Sequence, residues 1–427
     1  MSSESAAARV RPQRFGAKGV FATVLGNAFE FYDFGVFSAY LTLIGKYYYP
    51  ADNPFISDIV ASIIFGLGFV ARPLGGAILG AYGDQVGRKP AMTMSIALMA
   101  IGSGLIAVTP TYAMVGLLAP VLLILARLLQ GFAVGGEVGP ATMYMLEAAP
   151  PNRRLFFASW QLASQNLGSL ASGLIGFALA SLLAQDSFNS WGWRLPFAIG
   201  VLIAPVGVYI RSQLEETLEK PAGAARKTSA VFVADLLREH WGGLLAGLAV
   251  IGGGTIAQYF LLNMTPYAIR TLHLPTSTAM LGNVSLGVSG CLGSLLGGFL
   301  GDRFGIKTVA IIPRILLIIA LFPVMNFLIA SPSATTLVIA ISILSVLQGA
   351  SSAVGVMLIP LIFPNTVRST GLAITYALGV AIFGGSATTI VIWLVGVTGD
   401  PLASSYYVLA ASVVMLIAIV SVKVRSS

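Results

Sequence analysis

Five charged residues interrupt apolar stretches in the first half of this sequence, and their side chains could do chemistry. They are Glu30, Asp33, Arg72, Arg127 and Glu137. Carboxylates can bind and release protons, and a guanidinium group can bind an anion through paired N–H donors. A charge inside a long apolar stretch is costly and therefore points to a function or to a counter-ion. The pattern predicts a site that combines proton binding with anion binding.

The spacing of these residues indicates which of them act together. Glu30 and Asp33 are three residues apart, so a helix places them on one face. Arg127, Gln130 and Glu137 follow one helical stripe, but Arg127 and Glu137 are roughly 15 Å apart along the axis and should not pair directly. The three carboxylates outnumber the two arginines. One carboxylate is therefore expected to take up a proton near neutral pH, and an anion that binds Arg127 or Arg72 would change which carboxylate is paired. The alternative is five static charges that brace the structure, with Arg72 anchoring the helix beside Pro73.

Neutral polar residues extend the predicted site. Gln161, Ser164 and Gln165 form a polar stripe, which a membrane helix turns toward protein or water. The second half has no charge at comparable depth, since Arg314 is expected near the end of its span, and it should contribute neutral groups. The predicted substrate-binding residues are Arg72, Arg127, Tyr32, Asn27, Gln161, Ser164, Gln165, Gln258, Tyr259, Asn263 and Tyr376. The predicted proton-coupling residues are Glu30, Asp33, Arg127 and Glu137.

Composition identifies the medium that holds these residues. The chain has 427 residues, of which 56% are hydrophobic and 9% charged, whereas about 25% is usual for a soluble domain. Such a sequence predicts an all-α integral membrane protein in a lipid bilayer. Twelve transmembrane helices are predicted near 20–45, 57–82, 90–109, 114–146, 156–184, 193–211, 241–265, 276–300, 308–330, 334–360, 370–397 and 403–423.

The basic residues predict orientation and organisation. Lys and Arg concentrate before the first span, after even-numbered spans and in a central polar stretch, which places both termini in the cytoplasm. The expected units are a cytoplasmic tail (1–19), an N-terminal six-helix bundle (20–211), a cytoplasmic linker (212–240) and a C-terminal six-helix bundle (241–423). The net charge of +8 is spread over short loops, so no nucleic-acid binding is expected. With one cysteine and two histidines, no metal site is expected.

The two halves repeat each other. Gly80-x-x-x-Asp84-x-x-Gly87-Arg88-Lys89 follows the second span, and Gly298-x-x-x-Asp302-x-x-Gly305-Ile306-Lys307 follows the eighth at an offset of 218 residues. Leu129-Gln130-Gly131 recurs as Leu347-Gln348-Gly349 at the same offset. Glycine permits a tight turn, and the aspartate can approach the positive end of a neighbouring helix. A duplicated six-helix unit of this kind places a ligand site between its halves, near mid-membrane.

These motifs resemble those of a known family. The loop motif and Arg127-Leu128-Leu129-Gln130-Gly131 are similar to motifs of the major facilitator superfamily. Further runs resemble its metabolite:proton symporter branch, namely Glu30-Phe31-Tyr32-Asp33-Phe34, Arg72-Pro73-Leu74-Gly75-Gly76, Gly135-Gly136-Glu137, Trp191-Gly192-Trp193-Arg194-Leu195-Pro196-Phe197, Leu214-Glu215-Glu216-Thr217 and Ala381-Ile382-Phe383-Gly384-Gly385. Ser159-Trp160-Gln161 with Ser164-Gln165 is similar to the citrate and tricarballylate symporters. Ile306 departs from the pattern, where an arginine is usual.

The resemblance implies a twelve-helix transporter of the bacterial inner membrane that imports a small organic anion with protons, by alternating access. A di- or tricarboxylate is expected, and the alternatives are 2-oxoglutarate, a shikimate-like or aromatic acid, or a zwitterion such as proline or betaine. The expected partners are the anion, protons and lipid, with no cofactor, and the chain is expected to act as a monomer. An enzyme is disfavoured because no histidine or nucleophile–base pair lies in mid-membrane, and a signalling domain and a channel layout are likewise not indicated.

Overall fold

The chain folds into helices in a computed structural model, which describes residues 17–86, 88–135, 145, 149–150, 152–212, 240–363 and 368–422. In the first half the helices are α1 (Ala17–Ala39), α2 (Leu41–Tyr48), α3 (Pro54–Val86), α4 (Arg88–Val108), α5 (Tyr112–Val115), α6 (Leu118–Val134), α7 (Arg154–Leu182), α8 (Gln185–Ser190) and α9 (Leu195–Ser212). Most of the predicted 212–240 linker, Glu137 and Gly87 lie outside the described residues.

The second half continues with α10 (Trp241–Leu262), α11 (Met264–Arg270), α12 (Thr276–Phe304), α13 (Ile306–Ala330), α14 (Ala334–Ile362), α15 (Arg368–Gly379), α16 (Gly385–Thr398) and α17 (Ala403–Ser421). A π-helical turn, Val380–Gly384, joins α15 to α16. Eight of the described helices are long and apolar enough to cross a membrane, and shorter apolar helices at Thr93–Val108 and Leu118–Val134 accompany them. These lengths suit the hydrocarbon thickness of a bilayer.

Local sequence explains where several helices begin and end. Pro54 opens α3, a position where its missing N–H costs nothing. Gly305 ends α12 at a φ of 89°, which a residue with a Cβ rarely adopts, so the loop-motif glycine has the predicted turning role. Ser333 begins α14 with a capping box, because its hydroxyl accepts the N–H of Thr336 at 3.2 Å.

Glycines let the helices approach backbone to backbone. A Cβ on Gly131 would meet the Gly68 carbonyl of α3, and one on Gly135 would meet the Arg72 carbonyl. In the second half, Gly293 and Gly297 of α12 lie against the α14 backbone in the same way. Small residues commonly permit such close packing between membrane helices. The α3–α6 contact fixes the two helices that carry Arg72 and Arg127.

The halves meet along α7 and α12 and along α3 and α16. Gly287 of α12 lies on Leu170 of α7, and Gly66 of α3 lies on the Gly385 carbonyl. Gln258 also donates across the interface to Asn166 Oδ1 at 3.3 Å. The interior between the halves is therefore closed on two sides by tightly packed helix pairs.

Candidate functional site

A cavity with an empty volume of about 780 Å³ lies between the two halves. Five of the predicted substrate-binding residues line it: Arg72 and Gln165 from the first half, and Gln258, Tyr259 and Tyr376 from the second. Tyr376 reaches it from α15, next to the π-helical turn that also contributes Val380. The described lining contains one cation, Arg72, and no carboxylate. We call this space the central cavity.

Arg72 is held by aromatic rings and keeps unused donors. Its side chain is 6% exposed, and its guanidinium carbon lies 4.6 Å from the Phe34 ring centroid and 4.2 Å from that of Phe69. Cation–π contacts of this kind stabilise the charge without using its N–H groups. Nε and Nη2 have no hydrogen-bond partner among the described residues. An anionic oxygen is the partner that such unpaired guanidinium donors bind most strongly.

Arg127 lies behind the same phenylalanine and does not line the central cavity. It is fully buried, with its guanidinium carbon 4.7 Å from the Phe34 centroid and 4.6 Å from that of Phe37. Nη1 donates to Gln130 Oε1 at 2.6 Å, and Nη2 donates to the Phe65 carbonyl at 3.3 Å. Phe34 therefore contacts both guanidinium groups, of which Arg72 lines the central cavity and Arg127 does not.

A chain of three hydrogen bonds connects Arg127 to Asp33. Gln130 accepts from Arg127 and donates through Nε2 to Ser103 Oγ at 2.9 Å. Ser103 in turn donates to Asp33 Oδ2 at 2.6 Å. Asp33 is 4% exposed, and its Oδ1 has no hydrogen-bond partner among the described residues. Charge at Arg127 and protonation at Asp33 are thus linked through two neutral side chains.

Glu30 and Asp33 face a second, smaller cavity with an empty volume of about 460 Å³. Their shared face agrees with the three-residue spacing in the sequence. Tyr32 also lines this small cavity and donates to the Pro196 carbonyl at 2.8 Å, so it is not placed at the central cavity. The fourth predicted proton-coupling residue, Glu137, lies outside the described residues.

Other predicted contacts are placed away from the central cavity. Asn27 donates to the Gln161 carbonyl at 2.9 Å and to Ser164 Oγ at 2.6 Å, and Gln161 donates back to Asn27 Oδ1 at 3.3 Å. These three side chains bind one another and tie α1 to α7. Asn263 lies beside a pocket at one end of the bundle, with Asp58 and Arg270.

The second half carries a completely buried cation, Arg314, although the sequence predicts this residue near the end of its span. The residue lies about 12 Å along α13 from its first residue, at 1.5 Å per residue, and its side chain is 0% exposed. The guanidinium binds the hydroxyls of Ser351, Ser352 and Ser412. The position of Arg314 along its helix does not predict how deeply its side chain is buried, because the neighbouring helices α14 and α17 enclose it.

The halves are bridged at both ends of the bundle. At the end that carries the loop motif, Asp302 accepts the backbone N–H groups of Leu155 and Phe156 at 2.9 and 3.0 Å. This is the predicted contact of a loop aspartate with a helix N-terminus. Lys307 donates to the Val422 carbonyl. The side chains of Asp84, Arg88 and Lys89 and the surroundings of Gly80 lie outside the described part.

An ion pair that the sequence gave no reason to expect bridges the opposite end. Arg270 of α11 donates to both carboxylate oxygens of Asp58 in α3, at 2.8 and 3.1 Å. The side chains are 29% and 3% exposed. A bidentate pair of this kind is strong and directional. Bonds between the halves are therefore present at both ends of the bundle.

Two connected halves, a cavity at their interface that combines apolar side chains with a few polar ones, and a bridge at each end are the parts of an alternating-access transporter. Residues 19–228 match the family model described as sugar (and other) transporter. The chain is 33% identical to the citrate-proton symporter of Klebsiella pneumoniae, over 98% of this chain and 94% of that protein. It is 34% identical to the citrate-proton symporter of Salmonella typhi, over 96% of this chain and 95% of that protein.

A further relative and a solved structure are also similar to this chain. The chain is 30% identical to the proline/betaine transporter of Salmonella typhimurium, over 95% of this chain and 83% of that protein. The crystal structure of a D-xylose-proton symporter matches with a TM-score of 0.72 at 20% identity, over 94% of this chain and 96% of that chain. This chain belongs to the metabolite:proton symporter family of the major facilitator superfamily. The predicted family and the all-α, two-bundle membrane fold are thereby confirmed.

Proposed function

We propose that the protein imports a small organic anion, a di- or tricarboxylate such as citrate or tricarballylate, together with protons. The observation that carries this proposal is the Arg72 guanidinium, which borders the central cavity with two nitrogen atoms unpaired. A carboxylate is the group whose geometry matches such a fork. The citrate-proton symporters, similar over nearly the whole chain, support the same substrate class.

The proposed route that couples substrate binding to proton binding runs through the ring of Phe34, which contacts both Arg72 and Arg127. A substrate carboxylate that binds Arg72 weakens the attraction of that guanidinium for the Phe34 face, which it shares with Arg127. Any shift of Arg127 is transmitted through Gln130 and Ser103 to Asp33. Asp33 Oδ1 can accept a proton without breaking the bond that Oδ2 makes with Ser103. Substrate binding and proton uptake are coupled in this scheme.

Release requires that one end of the bundle opens while the other stays bridged. Asp302 with the α7 N-terminus closes one end, and the Asp58–Arg270 pair closes the other. Alternating loss of these bridges exposes the central cavity first to one side and then to the other. The proton gradient drives the cycle without a cofactor and without chemical change of the substrate. The protein works as a monomer in the bacterial inner membrane, with both termini in the cytoplasm.

A zwitterionic substrate such as proline or betaine is the second candidate. The aromatic side chains around the central cavity, among them Phe31, Phe34, Tyr259 and Tyr376, could hold a quaternary ammonium group by cation–π contacts. Arg72 argues against this, since it occupies two of the nearby ring faces and repels a cation. The described lining also lacks a carboxylate that would pair with an ammonium group.

Uptake into proteoliposomes tests the proposal. Purified protein is reconstituted, and labelled citrate, tricarballylate, a C4-dicarboxylate, proline and betaine are offered with and without an inward proton gradient. We expect accumulation of a di- or tricarboxylate that requires the gradient and collapses with a protonophore. Accumulation of betaine or proline with no response to any carboxylate would replace the proposal with its alternative.

A further inference from the structure

Arg314 is a buried cation whose partners are all neutral. Nε donates to Ser351 Oγ at 3.2 Å, Nη2 to Ser352 Oγ at 2.9 Å and Nη1 to Ser412 Oγ at 3.4 Å. No ion pair to Arg314 is present in the part of the chain that the structure describes. Hydroxyl groups satisfy the N–H donors but leave the charge uncompensated, which is costly in a low-dielectric interior. The second half therefore contains a positive field that its own described residues do not neutralise.

Ser352 binds Arg314 and also lines the central cavity, so it connects the buried charge to the cavity. Its hydroxyl oxygen accepts from Arg314 and also from Gln348 Nε2, at 2.9 Å each. A serine hydroxyl has two acceptor positions and one proton to donate. Both acceptor positions are thus used, and the proton has no acceptor among the described residues. Because Ser352 lines the central cavity, that proton is available to a ligand there.

Gln348 fixes this arrangement. Its second amide proton donates to the Gly254 carbonyl at 2.6 Å, so the amide is held in the orientation that points the other proton at Ser352. A hydroxyl that receives two donors, one of them cationic, is a stronger donor than an isolated serine. The groups that such a donor binds best are anionic oxygens.

We propose that Ser352, supported by Gln348 and Arg314, forms a second-half subsite for one carboxylate of the substrate, separate from the carboxylate that Arg72 binds. The inference rests on the proposed function and adds where the second carboxylate of the substrate binds. Ser352 contacts the ligand, and Arg314 is a positioning residue that acts through it. With one anchor from each half, a single molecule links the two halves across the central cavity.

Neighbouring serines provide a matched pair of variants. Ser351 also binds Arg314, but its hydroxyl donates to the Ala310 carbonyl at 2.8 Å and it is not among the residues that line the cavity. Ser352→Ala and Ser351→Ala each remove one hydroxyl partner of Arg314. Only Ser352→Ala removes the proposed ligand contact.

Binding to the purified full-length protein is measured by ligand-induced thermal stabilisation and by competition against labelled citrate. Tricarballylate and a C4-dicarboxylate are compared with butyrate, which has a single carboxylate for Arg72. For Ser352→Ala we expect affinity for the multivalent acids to fall about tenfold, as for loss of one hydrogen bond to a charged group. Butyrate affinity should be unchanged, and Ser351→Ala should bind every acid as the natural protein does.

Arg314 variants test the supporting charge. Arg314→Lys keeps the charge and should retain part of the preference for multivalent acids over butyrate, whereas Arg314→Met should lose it. Equal loss for butyrate and citrate in Ser352→Ala, or equal loss in Ser351→Ala and Ser352→Ala, would overturn the subsite. If the natural protein binds no carboxylate at all, the proposed function fails and the subsite fails with it. Normal citrate binding that Ser352→Ala leaves unaffected overturns the subsite alone.

Discussion

Among the residues that the structure describes, each half buries one arginine completely, and the two arginines lie in different surroundings. Arg127 in the first half contacts three phenylalanine rings and is connected to a carboxylate through Gln130 and Ser103. Arg314 in the second half donates hydrogen bonds to three serine hydroxyls, and no carboxylate pairs with it among the described residues. Gln130 and Gln348 occupy equivalent positions of the internal repeat, yet Gln130 binds its arginine directly and Gln348 reaches its arginine through Ser352.

The different surroundings of Arg127 and Arg314 suit two different roles. A cation connected to a protonatable group can respond to proton binding, whereas a cation held by neutral hydroxyls supplies a constant field. The repeat has glutamine at the same position in both halves, whereas the buried arginine lies in the fourth predicted span of the first half and in the third of the second. We infer that proton coupling belongs to the first half, whereas each half supplies one anion contact, Arg72 in the first and Ser352 in the second.

Of the variants considered, Asp33→Asn should have the largest effect, because it should abolish proton coupling in the first half. The change removes the protonatable group at the end of the Arg127 chain while keeping its size, so gradient-driven uptake should fall to background. Exchange of labelled for unlabelled substrate across the membrane should persist, because it needs no net proton movement. Both rates are measured in the same proteoliposomes.

Glu30→Gln is the matched comparison, since Glu30 lines the same small cavity but is not part of the hydrogen-bond chain from Arg127 to Asp33. It should keep most of the gradient-driven uptake. If Glu30→Gln loses coupling and Asp33→Asn keeps it, the hydrogen-bond chain through Ser103 is not the coupling route.

Sequence reasoning found the charged residues of the first half and the duplicated helices, because charge in an apolar span is conspicuous. It missed Ser103, since a serine in a membrane span carries no comparable signal. It could not pair Asp58 with Arg270, which lie 212 residues apart and are brought together only by the packing of the halves. Tyr32, Asn27 and Asn263 were assigned to the substrate from their polarity, but the direction of each side chain depends on helix rotation, which the sequence does not specify.

Arg72→Lys is expected to have the next largest effect. Lysine keeps the charge but lacks the planar fork, so affinity for a di- or tricarboxylate should fall roughly 10- to 100-fold. Asp33 keeps its own hydrogen bond, so the remaining uptake should still require the proton gradient. Transport kinetics across substrate concentration distinguish weaker binding from lost coupling.

Arg194→Lys is a suitable control for this change. Arg194 also lies against an aromatic ring, 4.6 Å from the Trp193 centroid, but is not among the residues that line the central cavity. An equal loss of affinity in Arg72→Lys and Arg194→Lys would show that lost aromatic stacking, not lost carboxylate binding, explains the effect.

The two end bridges should respond in opposite directions. Asp58→Asn weakens the Arg270 pair and should favour opening at that end, whereas Asp302→Asn weakens the contact with α7 and should favour opening at the other. Loss of a hydrogen bond to a charged group shifts a two-state equilibrium by roughly tenfold. Alkylation rates of single cysteines placed at each end, in a Cys291→Ser background, measure the populations. A shift in the same direction for both variants would mean that the bridges do not oppose each other.

The smallest effects are expected from alanine substitutions at one repeated position, Gly131 in the first half and Gly349 in the second. Each glycine packs against a neighbouring helix of its own half. A Cβ on Gly131 would meet the Gly68 carbonyl, and one on Gly349 would lie 2.7 Å from the Gly290 carbonyl. Alanine at either position should therefore destabilise the protein by about 1–3 kcal/mol through overpacking. Gly242→Ala is the control, because nothing lies within 4 Å of its Cβ position and alanine favours the helix. Thermal unfolding in detergent gives the stabilities.

Gly131→Ala should in addition impair coupling, since it separates α3 from α6 and with them Arg72 from Arg127, whereas Gly349→Ala should spare the gradient dependence. Equal loss of coupling in both variants would show that the two halves share the proton-coupling task.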